Sequence, residues 1–226
     1  MKKIISVIFL FILSPIANSA LIEHAGYSYD DSGNVVVGGG LEWLRWDVTD
    51  GQSIDQALST FGSDGWRLAN NVDMANLFNI FNFGMSFDTD ENTGSYGWTE
   101  KTDDEGTDEL DRIFFAMFGI TVTNPGINPG DDPFEMSAAY FGDDADGDGK
   151  YNDARVVDDF VNKGTPSFGL AMISADVVTS SHAHTNMGIA LVRTEGYSVD
   201  EPTTFWLFMF VLVALYSASK RKKLVF

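Results

Sequence analysis

Three stretches of the chain repeat apolar residues at the spacing of a helix face, and they lie between runs patterned like strands. In SIDQALSTF (53–61), Ile54, Ala57, Leu58 and Phe61 recur at helical intervals behind Ser53, whose hydroxyl suits a helix N-cap. NNVDMANLFNIF (70–81) predicts a second helix with Val72, Ala75, Leu77, Phe78 and Phe81 as its apolar face and Asn70 or Asn71 as cap. DELDRIFFAMFG (108–119) predicts a third, ended by Gly119. Ahead of them, YSYDDSGNVVVGGGLEWLRWDV (27–48) is rich in aromatic and β-branched residues broken by Asp, Gly and Asn, the signature of short strands and tight turns. AAYFGD (138–143), ARVVDDFV (154–161), FGLAMIS (168–174) and MGIALVRTEG (187–196) predict later strands. Strands, two or three central helices and strands again make residues 21–198 one α+β domain.

The two ends follow a different pattern. MKKIISVIFLFILSPIANSA opens with two lysines, runs apolar from Ile4 to Ile16 and closes on small residues at 17–20. This order predicts a secretory signal peptide over 1–20, cut after Ser19 or Ala20 by signal peptidase. At the other end Phe205 to Ser219 is apolar on every face and abuts Lys220, Arg221, Lys222 and Lys223. A helix packed on the core of a domain this small would keep a polar side, and a fully buried one would not abut four charges, so a membrane helix is the better reading. Fifteen residues span only roughly 22 Å as a helix, short for a hydrocarbon layer of about 30 Å. The basic cluster acts as a stop-transfer signal and puts that end in the cytoplasm, with the domain on the far side of the inner membrane.

The tail also resembles the PEP-CTERM sorting signal of Gram-negative bacteria, which exosortases recognise. The match is Glu201, Pro202, Thr203 and Thr204, then the apolar run, then the basic cluster; Asp200 stands where the signal's first proline would be. The resemblance implies a transient anchor and sorting label over 199–226, with a permanent anchor as the second reading.

Charge narrows the partners. The chain of 226 residues carries 33 acids against 14 basic residues, a net charge of −19, and six of the basic residues lie in the two ends. The exported domain is therefore more acidic than the whole chain and repels phosphate backbones, which excludes nucleic acid as a partner. There is no cysteine, so neither a disulfide nor a thiol nucleophile contributes.

Within the domain, GGGLEWLRWDVTDGQSIDQALSTFGSDGWRLANNVDMANLF (38–78) is similar to Lcl C-terminal-like domains, on Gly40, Leu41, Trp43, Trp66, Arg67, Leu68 and the helix to Phe78. SYGWTE (95–100) and ALVRT (190–194) take the places of that family's later strands, while Ala69 stands where the family has proline. The resemblance implies a C-type-lectin-like fold. The residues themselves read as core: two tryptophans flanking two short helices fill a small domain, with Arg67 capping a helix or pairing with a surface acid.

The sharpest candidate for chemistry is DDADGDGKYND (143–153). Asp144, Asp146 and Asp148 alternate, Gly149 allows a sharp turn, Lys150 would offer a carbonyl and Asn152 a side-chain oxygen. Hard cations such as Ca²⁺ take six to eight such oxygens, so calcium is the expected, structural ion. Arg155 occupies the position where an EF-hand has its bidentate Glu, so the loop is not an EF-hand. The competing reading is a solvated acidic turn in an acidic chain. His182 and His184 share a face if extended, yet no third ligand follows them, and they read as solvent-facing polar residues. No nucleophile elbow, P-loop, dinucleotide-binding motif or zinc-protease helix occurs. The Glu-Pro-Asn, Gln-Pro-Asp and Trp-Asn-Asp sequences of calcium-dependent lectins are also missing.

The expectation is a non-enzymatic exported protein of the cell envelope or biofilm matrix, with exopolysaccharide as its ligand. Two alternatives stay open: an envelope glycan hydrolase built on a carboxylate pair, and a purely structural matrix protein.

Overall fold

The structure, a computed structural model, describes residues 20–31, 33–99, 110–124, 134–160 and 168–196. All but Gly196 belong to one compact unit that ends at Glu195. Twelve strands, three α-helices and two 3-10 turns order these residues as mixed α+β. Strands β1 (Leu21–His24), β2 (Tyr27–Asp30), β3 (Val35–Gly38) and β4 (Leu41–Leu44) form an antiparallel meander. Helix α1 (Ile54–Phe61), the short strand β5 (Arg67–Leu68) and helix α2 (Asn71–Phe81) follow. Next come β6 (Ser95–Trp98), helix α3 (Leu110–Phe118) and β7 (Val122–Asn124). The long strands β8 (Phe134–Phe141), β9 (Lys150–Phe160) and β10 (Phe168–Thr179) precede β11 (Gly188–Ile189) and β12 (Leu191–Thr194).

Two sheets result. In the first the order is β1-β2-β3-β4-β12-β5, so the last strand of the domain returns to lie antiparallel between β4 and β5. In the second the order is β11-β8-β9-β10-β6, and β7 adds to β8. Strand β11 pairs parallel with β8, the one parallel ladder among the described strands.

Helix starts follow local chemistry. Ser53 Oγ accepts from Gln56 N while Gln56 Oε1 accepts from Ser53 N, a capping box that satisfies two otherwise free donors. Asn70 and Asp73 repeat the device on α2, and Arg67 adds a 2.6 Å ion pair to Asp73. Gly119, at a φ of +89°, ends α3; a Cβ there would meet the Asp47 carboxylate at 2.2 Å.

The run read as short strands joined by tight turns ends in a 3-10 turn, Trp46–Thr49. Its Thr49 hydroxyl accepts from Ile189 N at 2.7 Å, a tie 140 residues distant that no local pattern signals. Gly188 is the companion of this turn: a Cβ would sit 2.0 Å from the Trp46 carbonyl oxygen, so only glycine lets the two backbones approach. On α2, Val72 is half exposed and Met74 is fully buried in its stead. The buried arc runs through Asn71, Met74, Phe78 and Phe81, which leaves Val72 on the outer side with Asn76 and Asn79.

The main core draws on both sheets and on α2 and α3, and it is strongly aromatic. Phe114 and Phe118, one helical turn apart, stack at 4.4 Å, and Trp46 meets them at 5.1 and 5.5 Å. Trp43 and Trp46 are fully buried and their indole N–H groups reach no acceptor among the described residues, so both serve as apolar bulk. Burial pushes the Tyr27 phenol up to about 12. A second cluster gathers Ile54 and Ala57 of α1 with Trp66, Tyr140, Ile189 and Leu191. Trp43 and Trp66 are thus core residues, and Leu68 is half buried beside the second cluster.

Candidate functional site, the acidic loop between β8 and β9

The loop 142–149 joins two central strands and is fixed at several points. Gly142 N donates to Ala69 O at 2.8 Å, and the Asp143 carboxylate accepts from Asn71 N at 3.1 Å. Asn71 is the first residue of α2, so Asp143 brings a negative charge to the positive end of the helix dipole. From below, Glu91 holds the loop with both oxygens: it accepts from Ala145 N and from Asp146 N, each at 2.7 Å. Glu91 is only 8% exposed, and burying a carboxylate requires such partners. Its side chain is the keystone of the loop.

Above this support, Asp144, Asp146 and Asp148 each bring a carboxylate oxygen within 4.8 Å of the others. Each also caps the loop's own backbone. Asp144 accepts from Gly149 N at 3.0 Å, Asp146 from Asp148 N at 3.0 Å and Asp148 from Lys150 N at 2.8 Å. Gly149, expected at the turn, stands at a φ of +81°, and Gly147 beside it at +79°. The Lys150 ammonium lies 3.1 Å from Asp148, and hydrogen bonding to Lys150 holds the Asp148 carboxyl below its ordinary range. At Asp176, on the neighbouring strand, desolvation first and the Asp148 charge second push the carboxyl up. The cluster is thus a zone of concentrated negative potential.

The five positions predicted for the ion separate here. Asp144, Asp146 and Asp148 converge, and Lys150 reaches them through its ammonium. Asn152 turns away. It is buried in β9, its Nδ2 donates to Glu91 O (2.9 Å) and Asn71 Oδ1 (3.3 Å), and its Oδ1 accepts from Asp176 N (3.0 Å). These bonds tie the loop base to α2, to the segment around Glu91 and to β10.

Beside the loop a groove of about 330 Å³ is lined by residues that include Asn71, Thr89, Asp90, Asn92, Asp143 and Asp146. It is acidic, but Glu91 and Asp143 already accept backbone N–H bonds there. Three further acids lie deep in the protein. Asp111 accepts from Thr99 Oγ1 at 2.7 Å, Asp158 pairs with Arg112, and Asp153 pairs with Arg155. These pairings were not legible among 33 acids in the sequence. His182 and His184 are exposed in the turn after β10. His182 packs edge-on to Tyr140 at 6.0 Å, and His184 Nδ1 accepts from Asn186 N at 3.2 Å.

The sorting residues Glu201, Pro202, Thr203 and Thr204, the run 205–219, the cluster 220–223 and the leader 1–19 lie outside the described residues. Among the described residues no helix is long and apolar enough to cross a membrane. Comparison of the chain with protein-family models, with curated proteins and with solved structures finds no match.

Proposed function

We propose that the chain is a non-enzymatic exported protein of a Gram-negative envelope, a C-type-lectin-like domain carried on a PEP-CTERM-like tail. The leader is removed by signal peptidase, and the tail holds the domain at the inner membrane until an exosortase-type enzyme cuts it. The freed domain then works at the cell surface or in the matrix, against exopolysaccharide. The tripartite order of Glu201 to Thr204, the apolar run and Lys220 to Lys223 is the observation that carries this reading.

Support for the lectin-like part comes from register. Three of the segments that bear the resemblance, around Trp43, Trp66-Arg67-Leu68 and Leu191–Thr194, become adjacent strands in the order β4-β12-β5, while Ser95–Trp98 lies in the other sheet. Val192 lies opposite Trp43 on one side and opposite Arg67 on the other. The two ends of the domain thus meet in the first sheet, while the chain between β5 and β12 builds the second.

The tail is tested by replacing Lys220, Arg221, Lys222 and Lys223 together with alanine and fractionating the native host. The expected result is loss of tail removal and of the released domain. Unchanged release would refute the sorting role.

Calcium belongs to the same proposal, as an ion bound by Asp144, Asp146 and Asp148 that stiffens the β8–β9 loop. Clustered carboxylates repel one another, and a divalent cation between them relieves that repulsion. Saturating calcium is expected to raise Tm by a few degrees in wild type and to leave D144N/D146N/D148N unmoved. At a hundredfold excess over Kd the stabilisation would be about 2.7 kcal/mol. Equal shifts in the two proteins would sink the calcium reading.

A further inference from the structure

The start of β1 carries an arrangement that bears on where the leader is cut. Ala20 N donates to Asp31 Oδ1 at 2.9 Å, and Asp31 N donates back to Ala20 O at 3.2 Å. The two bonds lie one step beyond the β1–β2 ladder, whose end pair is Leu21 opposite Asp30. Among the described residues, Ala20 is the last to bond across to the β2 arm on this side, and a carboxylate accepts from its nitrogen.

We infer that processing occurs after Ser19, so that the mature chain begins at Ala20 and its new α-ammonium docks on the Asp31 carboxylate. The inference rests on the export reading above and makes it specific. The residues before the bond favour this cut over the next one, and of the two cuts it alone keeps the contact with Asp31. A cut after Ser19 leaves small residues, Ala17 and Ser19, at the third and first positions before the scissile bond, the pattern signal peptidases read. A cut after Ala20 would put Asn18 at the third position and would also remove both bonds to Asp31.

The chemistry is simple hydrolysis by signal peptidase. Water adds across the Ser19–Ala20 peptide bond, Ser19 departs as the carboxylate of the leader, and Ala20 keeps the amine, which takes up a proton. Before cleavage the nitrogen at Ala20 is a neutral amide donor. Afterwards it is a cation with three donors, and the same contact becomes a charge-assisted bond. Processing thereby fastens the edge of the first sheet without moving it. Both partners are exposed, so the bond orders the terminus and adds little to global stability.

The test is intact mass and N-terminal sequencing of the full chain exported from a Gram-negative host, followed by NMR titration of the terminal amine. Ala20 as first residue is expected, with an amine midpoint higher in wild type than in Asp31→Asn by roughly 0.2–0.7 pH. Leu21 as first residue would overturn the site yet leave export standing. A chain that keeps Met1 and its leader would overturn the export reading itself. Ala20 first with equal midpoints in the two proteins would overturn the docking.

Discussion

Phe114→Ala is expected to cost about 3–5 kcal/mol, a large share of the 5–15 kcal/mol that holds a domain of this size together. Phe114 is fully buried near the middle of α3. Its ring meets Trp46 at 5.1 Å, Phe81 at 5.2 Å, Phe78 and Phe83 at 5.9 Å, and Phe118 at 4.4 Å. These partners come from the 3-10 turn, α2, the segment just after α2 and α3, so one truncation opens a cavity where they meet. Aromatic pairs of this kind also add about 0.5–1.5 kcal/mol each beyond area, and neighbours this rigid cannot all close on the gap. Urea unfolding followed by tryptophan fluorescence reads the loss directly, because Trp46 reports from the wall of the cavity. Ile80→Ala, at a position 42% exposed on α2, should change stability by less than about 0.5 kcal/mol. Equal costs for the two variants would mean that the core is not where the structure puts it.

Glu91→Ala should produce the second large effect, about 2 kcal/mol of destabilisation together with local disorder of the β8–β9 loop. The carboxylate accepts two backbone N–H groups at 2.7 Å, and bonds to a charged acceptor are the stronger kind. Ala145 and Asp146 are exposed, so water replaces part of what is lost, which keeps the cost at the lower end. Hydrogen exchange separates this account from a general weakening. Protection of the Ala145 and Asp146 amides should vanish while the β9 amides beyond Asn152 stay slow. Uniform acceleration across β9 would mean that Glu91 supports the sheet and not the loop.

What the sequence revealed, and what it hid, divides by distance along the chain. The cap residues were legible because they sit directly before the apolar repeat: Ser53 was named, and of Asn70 and Asn71 the structure chooses Asn70, with Gln56 and Asp73 completing each box three residues on. The Asp144, Asp146 and Asp148 cluster was legible because it is equally local, since alternation in a tight loop forces convergence. Glu91 escaped because it stands 54 residues before its partner Ala145, in a stretch where acids are common. Asn152 was drawn into the loop by its spacing, but its carboxamide is already shared among Glu91, Asn71 and Asp176. The return of β12 between β4 and β5 is equally non-local, and periodicity alone carries no strand order. Val72 shows the limit even within a helix: apolar character nominated it for the core, and the phase set by Met74 and Phe78 turned it outward.

The account stands or falls on the tail, and intact mass of the domain recovered from its native host, in extracellular and inner-membrane fractions, tests it most directly. The account predicts an extracellular species that has lost the chain beyond about Glu201, with the apolar run and the basic cluster left behind. A protein found only in the inner membrane, with its mass complete to Phe226, would contradict it and make the tail a permanent anchor.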